Sequence, residues 1–273
     1  MPDAPSPVIT FLSDYGLADD FVGICHGVIA GICPSARVID LTHGIPRHDV
    51  RAGAIVLSEA LAYLPVGVHL AIVDPDVGAQ RRAIALRLAG GRLLVGPDNG
   101  LLSPAARAGG GVLEAVDIAR SVYRLQPVSA TFHGRDIFAP VAAALAAGAA
   151  PADAGEPLDP GSIVSLQLPE PVRDGDALVA HVRYIDRFGN AQLDAGHEHL
   201  TAGGLKLGRP ATIELADGTA HQVHFARTFA DAGADELLLY EDAQRRLAVA
   251  VRHGDAAAFL GLTVDAELRI RPA

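Results

Sequence analysis

Asp74 and Arg81 stand seven positions apart in Asp74-Pro75-Asp76-Val77-Gly78-Ala79-Gln80-Arg81-Arg82, a polar stretch between the apolar runs Val68–Val73 and Ile84–Leu88. A carboxylate there can orient a water or an imidazole, and a guanidinium can stabilise developing negative charge. A second polar knot, Thr131-Phe132-His133-Gly134-Arg135-Asp136, offers the imidazole. By spacing alone a salt bridge and a satisfied histidine explain the same three residues, and that plainer reading is favoured at this level. Ser13-Asp14 and Asp19-Asp20 bracket a strand-to-helix turn, where carboxylates can meet hydroxyls or a cation of a ligand. Aspartate at a helix start also stabilises the cap and the dipole with no ligand at all.

Other chemistries fit less well. The eleven histidines form no His-x-x-x-His pair backed by a carboxylate, and His197 and His199 read as a Gly-flanked, solvated loop, so no metal site is expected. Gly96-Pro97-Asp98-Asn99-Gly100 lacks the Lys-Ser or Lys-Thr of a phosphate loop, and no Gly-x-Gly-x-x-Gly follows the first strand. No Ser-His-Asp set is apparent either.

The elements that must position these residues alternate. Val8–Leu12 reads as a buried strand, and Asp19 or Asp20 can cap a helix reaching about Ile32. Arg37–Leu41 is the next strand, and Asp49 caps a helix whose Val50, Ala54, Leu57, Leu61 and Leu64 share a face. Strands His69–Val73, Ile84–Leu88 and Leu93–Val95 follow, then a helix from Ile137 to about Leu145. Strands alternating with helices predict an N-terminal α/β domain with a largely parallel central sheet, and ligands in such sheets sit beyond the carboxyl ends of the strands. Prolines at 151, 157, 160, 169 and 171 mark a change of texture. Beyond it the runs 178–184, 211–215, 222–225, 236–240, 247–251 and 262–270 alternate as strands, and Asp217-Gly218 suggests a hairpin. The expected organisation is an α/β domain over residues 1–160, a linker over 161–175, and a smaller all-β, barrel-like domain over 176–273.

Composition narrows the partners. A formal net charge of −10 disfavours nucleic acid and anionic membrane, which reward clustered Lys and Arg. Cys25 and Cys33 are too few for a disulfide framework and read as reduced, buried residues. Residues 1–7 lack the pattern of a signal peptide, and no apolar run reaches the roughly 18 residues that span a bilayer, so the expected location is the cytoplasm.

Taken in order, Phe11-Leu12-Ser13-Asp14-Tyr15-Gly16, Asp19-Asp20, Leu41-Thr42-His43-Gly44-Ile45-Pro46, Val73-Asp74-Pro75, Gly96-Pro97-Asp98-Asn99-Gly100, Thr131–Asp136 and Phe188-Gly189-Asn190 resemble the S-adenosyl-L-methionine hydroxide adenosyltransferase family nearly end to end. The resemblance implies cleavage of S-adenosyl-L-methionine to adenosine and methionine by water attack at the ribose C5′ carbon, with no cofactor. It implies a catalytic set of Asp74, Arg81 and His133. It places Asp14 on the ribose hydroxyls, Asp19 near the methionine ammonium, and Phe188 and Asn190 on the adenine side, the last two from a neighbouring subunit of a homotrimer. His48 stands where the related fluorinating enzymes carry a tryptophan, and Gly134 where they carry a fluoride-binding serine. A chlorinating relative also has glycine there, which leaves a halide-using enzyme as one alternative. The halogenating members lack the full Asp, Arg, His set and carry an inserted loop in the first domain, whereas residues 82–96 here run straight from strand to turn. A non-catalytic module sensing adenosine or S-adenosyl-L-methionine is the other alternative, though it has no use for Arg81 and His133 beside Asp74. Asp76, where the family more often has glycine, adds an extra carboxylate to the turn.

Overall fold

The computed structural model describes residues 6–272, and the chain divides into two units between Leu166 and Gln167. In the first unit β1 (Val8–Ser13), α1 (Phe21–Ile32), β2 (Arg37–Thr42), α2 (Val50–Ala60) and β3 (Val68–Ile72) follow the expected alternation closely. Then come β4 (Ala83–Leu88), β5 (Leu93–Pro97), α3 (Ser103–Ala108), β6 (Val112–Asp117), α4 (Ala139–Ala146), α5 (Pro151–Ala154) and β7 (Glu156–Leu158). The sheet order is β2-β1-β3-β5-β4-β6-β7. β1 is parallel to β2 and β3, and β3 to β5, while β4 is antiparallel to both β5 and β6, and β7 to β6. Five of the seven strands therefore run one way, a largely parallel sheet.

β4 runs against its neighbours because only four residues join it to β5. Leu88 N–H bonds Arg92 C=O at 2.9 Å and Gly91 takes φ +77°, so this is a hairpin with no length for a crossover. α3 and β6 were not anticipated.

Both faces of the sheet are covered. Ile9, Phe11, Leu70 and Ile72 pack with Val22, Cys25 and Ile29 of α1 and Val141 and Leu145 of α4 in one core. On α2, Gly53 has no room for a side chain between Leu101, Val73 and Leu12. Each fully buried Leu, Ile or Phe contributes about 1.5–3 kcal/mol relative to exposure. Asp49 caps α2 as expected, its Oδ1 accepting from Ala52 N–H at 2.8 Å.

The Pro-rich stretch carries more structure than its texture suggests. β7 pairs with β6, and further on Val164 N–H and Leu166 N–H donate to Asp98 Oδ1 and Ser103 Oγ at 2.9 and 2.8 Å. Residues near the Pro-rich end form β8 (Val172–Asp174), which belongs to the second unit and pairs with β9 (Ala177–Ile185).

The rest of the second unit is β10 (Ala191–Gly196), α6 (His197–Ala202), β11 (Pro210–Leu215), β12 (Ala220–Ala226), β13 (Leu237–Glu241), β14 (Arg246–Val251), α7 (Ala256–Leu260) and β15 (Glu267–Pro272). Seven strands close on themselves in the ring β9-β10-β14-β13-β12-β11-β15, with β8 paired outside it. The expected barrel is thus present, with three local differences. β10 was not read as a strand because Ala, Gln, Asp and Gly are poor strand formers. All six of its residues are buried, since it supplies the pairing that closes the ring. His197 and His199 lie on α6 rather than in a loop. The run 262–270 is strand only from Glu267, because Asp255 caps α7 through Ala258 N–H at 2.7 Å and Gly261, at φ +65°, ends it. The Asp217-Gly218 hairpin joins β11 to β12. Among the described residues no helix is long and apolar enough to cross a membrane.

Candidate active site

β2, β1 and β3 are adjacent and parallel, so the loops leaving their carboxyl ends share one edge of the sheet. Those loops carry Asp14, Tyr15, Asp19, Arg47, His48, Asp74 and Val77 to the wall of a cavity of about 280 Å³. Phe21 of α1 and the segment Thr131–Gly134 complete the lining. Two turns separated by more than fifty residues in sequence thus meet at the place that parallel-sheet topology favours for a ligand.

Asp74, Arg81 and His133 come together. Arg81 grips both carboxylate oxygens of Asp74, donating from Nε to Oδ1 at 2.8 Å and from Nη2 to Oδ2. The same Nη2 lies 2.9 Å from His133 Nδ1. A guanidinium only donates, so Nδ1 is the acceptor and neutral His133 carries its proton on Nε2. The side chains of Arg81 and Asp74 are 8% and 6% exposed, and the guanidinium lies over the Phe138 ring at 5.2 Å. Asp74 and His133 line the cavity, whereas Arg81 stands behind them. Burial first, and the neighbouring Arg81 cation second, hold the His133 pKa below the ordinary histidine value, with Asp74 and Asp136 pulling the other way.

His133 is delivered by an irregular turn. Residues Gly134–Phe138 form a π-helical turn directly ahead of α4, a distortion frequent at functional sites. Asp136 anchors the approach, its Oδ2 accepting from Ser129 N–H at 2.7 Å. At Gly134 a Cβ atom would fall 2.2 Å from the Tyr15 hydroxyl, so the two positions share one space. The Tyr15 ring makes edge contacts with Phe11 and Phe132 at 6.5 and 6.0 Å, and burial, reinforced by Cys25, Asp74 and Asp14, keeps its hydroxyl firmly protonated.

Asp14 Oδ2 accepts the His48 N–H at 2.9 Å. His48 itself has φ +65°, an unfavourable conformation for a residue with a side chain, at the cavity wall. Asp20 occupies the N-cap of α1 without making a capping bond, and exposed Asp19 lines the cavity. Helix capping therefore does not account for this acidic pair.

Phe188 and Asn190 line a cavity of the second unit, about 730 Å³, together with Phe229, Arg252 and His253. Their turn is built by Asp186, whose carboxylate accepts from the Phe188 and Asn190 N–H groups at 2.8 and 3.0 Å and from Asn190 Nδ2 at 2.9 Å. Gly189, at φ +78°, has the Asp255 carboxylate 2.1 Å from where a Cβ would be.

Several residues escaped sequence reasoning. Tyr15, Phe21 and Arg47 line the first cavity, and adjacency to Asp14, Asp20 and His48 was the available signal. A Ser-His-Asp chain also exists. Ser13 Oγ lies 2.7 Å from His43 Nδ1, and His43 Nε2 lies 3.0 Å from Asp40 Oδ1. Fully buried Ser13 is no nucleophile; its Oγ accepts Tyr15 N–H at 3.2 Å and braces the turn that presents Asp14.

Comparison with known proteins agrees with this architecture. Residues 9–155 match the family model of the SAM hydroxide adenosyltransferase N-terminal domain, and residues 180–269 that of the C-terminal domain. The chain is 51% identical over 267 residues to a protein of Salinispora tropica named (R)-S-adenosyl-L-methionine hydrolase, covering 98% of each. It is 30% identical to a fluorinase of Nocardia brasiliensis over 253 residues, 83% of this chain and 84% of that one. The crystal structure of an uncharacterized conserved protein from Thermotoga maritima superposes with a TM-score of 0.90 at 33% identity, over 96% of this chain and 99% of that one. Both family models in order, together with full-length identity above one half, place this chain in the SAM hydroxide adenosyltransferase family.

Proposed function

We propose that this chain hydrolyses S-adenosyl-L-methionine to adenosine and L-methionine, and that its substrate is the form with R configuration at sulfur, as the name of its Salinispora tropica relative specifies. The observation that carries the reading is the joined Asp74–Arg81–His133 set at a cavity whose wall also offers Asp14 and Asp19.

The chemistry asks little of the protein. A sulfonium is already an activated leaving group, so displacement needs a dry, aligned water opposite sulfur and no cofactor. The water oxygen forms a bond to C5′, the C5′–S electron pair returns to sulfur as neutral methionine thioether, and the water gives up one proton. Arg81 fixes Asp74 and His133 on either side of that water. The Nε2–H of His133 donates to the attacking oxygen, and Asp74, whose oxygens keep further lone pairs after binding Arg81, accepts the proton. Asp14 holds the ribose hydroxyls, with His48 bracing it, and Asp19 receives the methionine ammonium.

A halide-using reaction is less well supported. The joined Asp74–Arg81–His133 set suits activation of a water, whereas a halide has no proton to lose and no need of it. For the adenine side we infer a homotrimer in which the Phe188–Asn190 turn comes from a neighbouring subunit. The apolar character of the second unit's cavity, with Phe188 and Phe229 in its wall, suits a stacked purine.

Product analysis in oxygen-18 water, on substrate resolved at sulfur and with chloride present, tests the reaction. The expected products are adenosine labelled at the 5′ oxygen and unlabelled methionine, from the R form in preference to the S form. Label in methionine, or 5′-chloro-5′-deoxyadenosine as the main product, overturns the proposal.

A further inference from the structure

Outside the lining of the cavity, three potential ligands converge from three elements: His26 from α1, Asp40 from β2 and His43 from the loop after it. His26 Nε2 lies 2.8 Å and His43 Nε2 3.0 Å from the same oxygen, Asp40 Oδ1, and the three ligand atoms lie within 4.8 Å of one another. Two donors held about 2.1 Å from one tetrahedral ion stand roughly 3.4 Å apart, so the cluster is a few tenths of an ångström tighter than a coordination shell and opens by that much when an ion enters.

The orientation of His43 separates the two. His43 is 5% exposed, and its Nε2, 3.0 Å from Asp40 Oδ1, makes no hydrogen bond of good geometry among the described residues, so the contact with the carboxylate does not fully satisfy it. A buried ring nitrogen left so is costly unless something else meets it. Its other nitrogen is held by Ser13 Oγ at 2.7 Å, the outer-shell bond that fixes a metal-binding imidazole in its tautomer and rotation. Both rings pack on buried Phe11, at 4.6 Å for His43 and 6.1 Å for His26, so the ligands are oriented before any ion arrives. The side chains of His26 and Asp40 are 34% and 43% exposed, which leaves an entry path and open positions for water.

We propose that His26, Asp40 and His43 form a binding site for a divalent transition-metal ion of the zinc type. Two imidazoles and one carboxylate suit such an ion better than calcium or magnesium, which prefer all-oxygen shells. Bound there, the ion ties α1 to β2 and, through His43 and Ser13, stiffens the turn that presents Asp14 and Tyr15. It takes no part in the displacement, so this site stands or falls independently of the hydrolase reading.

Calorimetric titration of the chelator-treated full chain with Zn²⁺ tests the site, using His26→Ala and Asp40→Asn, a half-buried and an exposed position outside the buried core, each checked for native circular dichroism, with His197→Ala as a surface control. The expected result is one ion per chain and a higher melting temperature with Zn²⁺. Affinity falls by about tenfold or more in the first two variants, with the thermal gain lost, and is unchanged in the control. Absence of saturable binding at micromolar Zn²⁺, or equal affinity in all four proteins, overturns the proposal.

Discussion

Neutral His133 has a single ring lone pair, and Arg81 occupies it. Protonating the imidazole breaks that bond and sets a second cation against the guanidinium, which is why burial and Arg81 together lower its pKa. The working state is therefore the neutral ring, kept to more acidic pH than an ordinary histidine keeps it. The plot of kcat/KM against pH is expected to stay level through 6.5 and decline only below it; an inflection at or above that value counts against the assignment. Gly134 and Tyr15 form the other sensitive pair. Gly134→Ala drives a methyl group toward the Tyr15 hydroxyl, and the packed ring has little freedom to move aside. We expect kcat/KM to drop by about tenfold or more, and Tyr15→Phe in the same chain to recover part of it, because the nearest remaining ring atom lies 3.2 Å from the new Cβ. Equal loss in the single and double variants would falsify the shared-space account. Asp76, the extra carboxylate of the turn, is exposed and does not line the cavity.

Among the elements, β3 is held to β1 by more than its ladder. His69, paired in register with Thr10, lies 2.9 Å from the Thr10 hydroxyl through Nδ1 and within 3.3 Å of Arg92 through Nε2. Burial, and then Arg92, push its pKa down to about 4. The unfolded chain takes up this proton near pH 6.5 while the folded chain refuses it, so the contribution is whole above 6.5 and lost as pH falls toward 4. Denaturant titrations at pH 7 and pH 4.5 are expected to differ by about 2–3 kcal/mol more in the native chain than in His69→Gln. Most of the first unit was legible because apolar runs, capping residues and turn residues agree locally, as in Val8–Ser13 and at Asp49. What escaped depends on partners distant in sequence. The direction of β4 is set by a short hairpin, β10 is a strand because it closes a ring, and the π turn after His133 has no pattern of its own. The same holds for the site. Asp74, Arg81 and His133 could be named from their motifs, but Tyr15 emerged as the neighbour of Gly134 only once the two loops met.

At the scale of the whole molecule, the proposed trimer makes a catalytic prediction that a monomer does not. Asp74→Asn and Asn190→Ala damage different units, so a site shared between subunits is restored when an intact first unit faces an intact second one. Unfolding and refolding the two variants together is expected to recover about a quarter of native turnover, although each alone is impaired. Activity no greater than the average of the separate variants excludes a shared site. The second unit has a further consequence, for how such a chain changes over time. All seven strands of its ring are paired on both sides, so no ring strand offers an open edge to a foreign chain, and β8, the strand outside, is short, exposed and carries Arg173 and Asp174. Pairing of this kind is indifferent to what the connecting turns contain. Phe188, Asn190, residues 228–230 and those just past β14 line the second cavity, and so long as Asp186 and Gly189 keep their turn, these side chains can be exchanged without disturbing the ladder hydrogen bonds that hold the ring. If the proposed adenine side lies there, inheritance can thus rewrite which ring system it accepts while the first unit's residues are left alone.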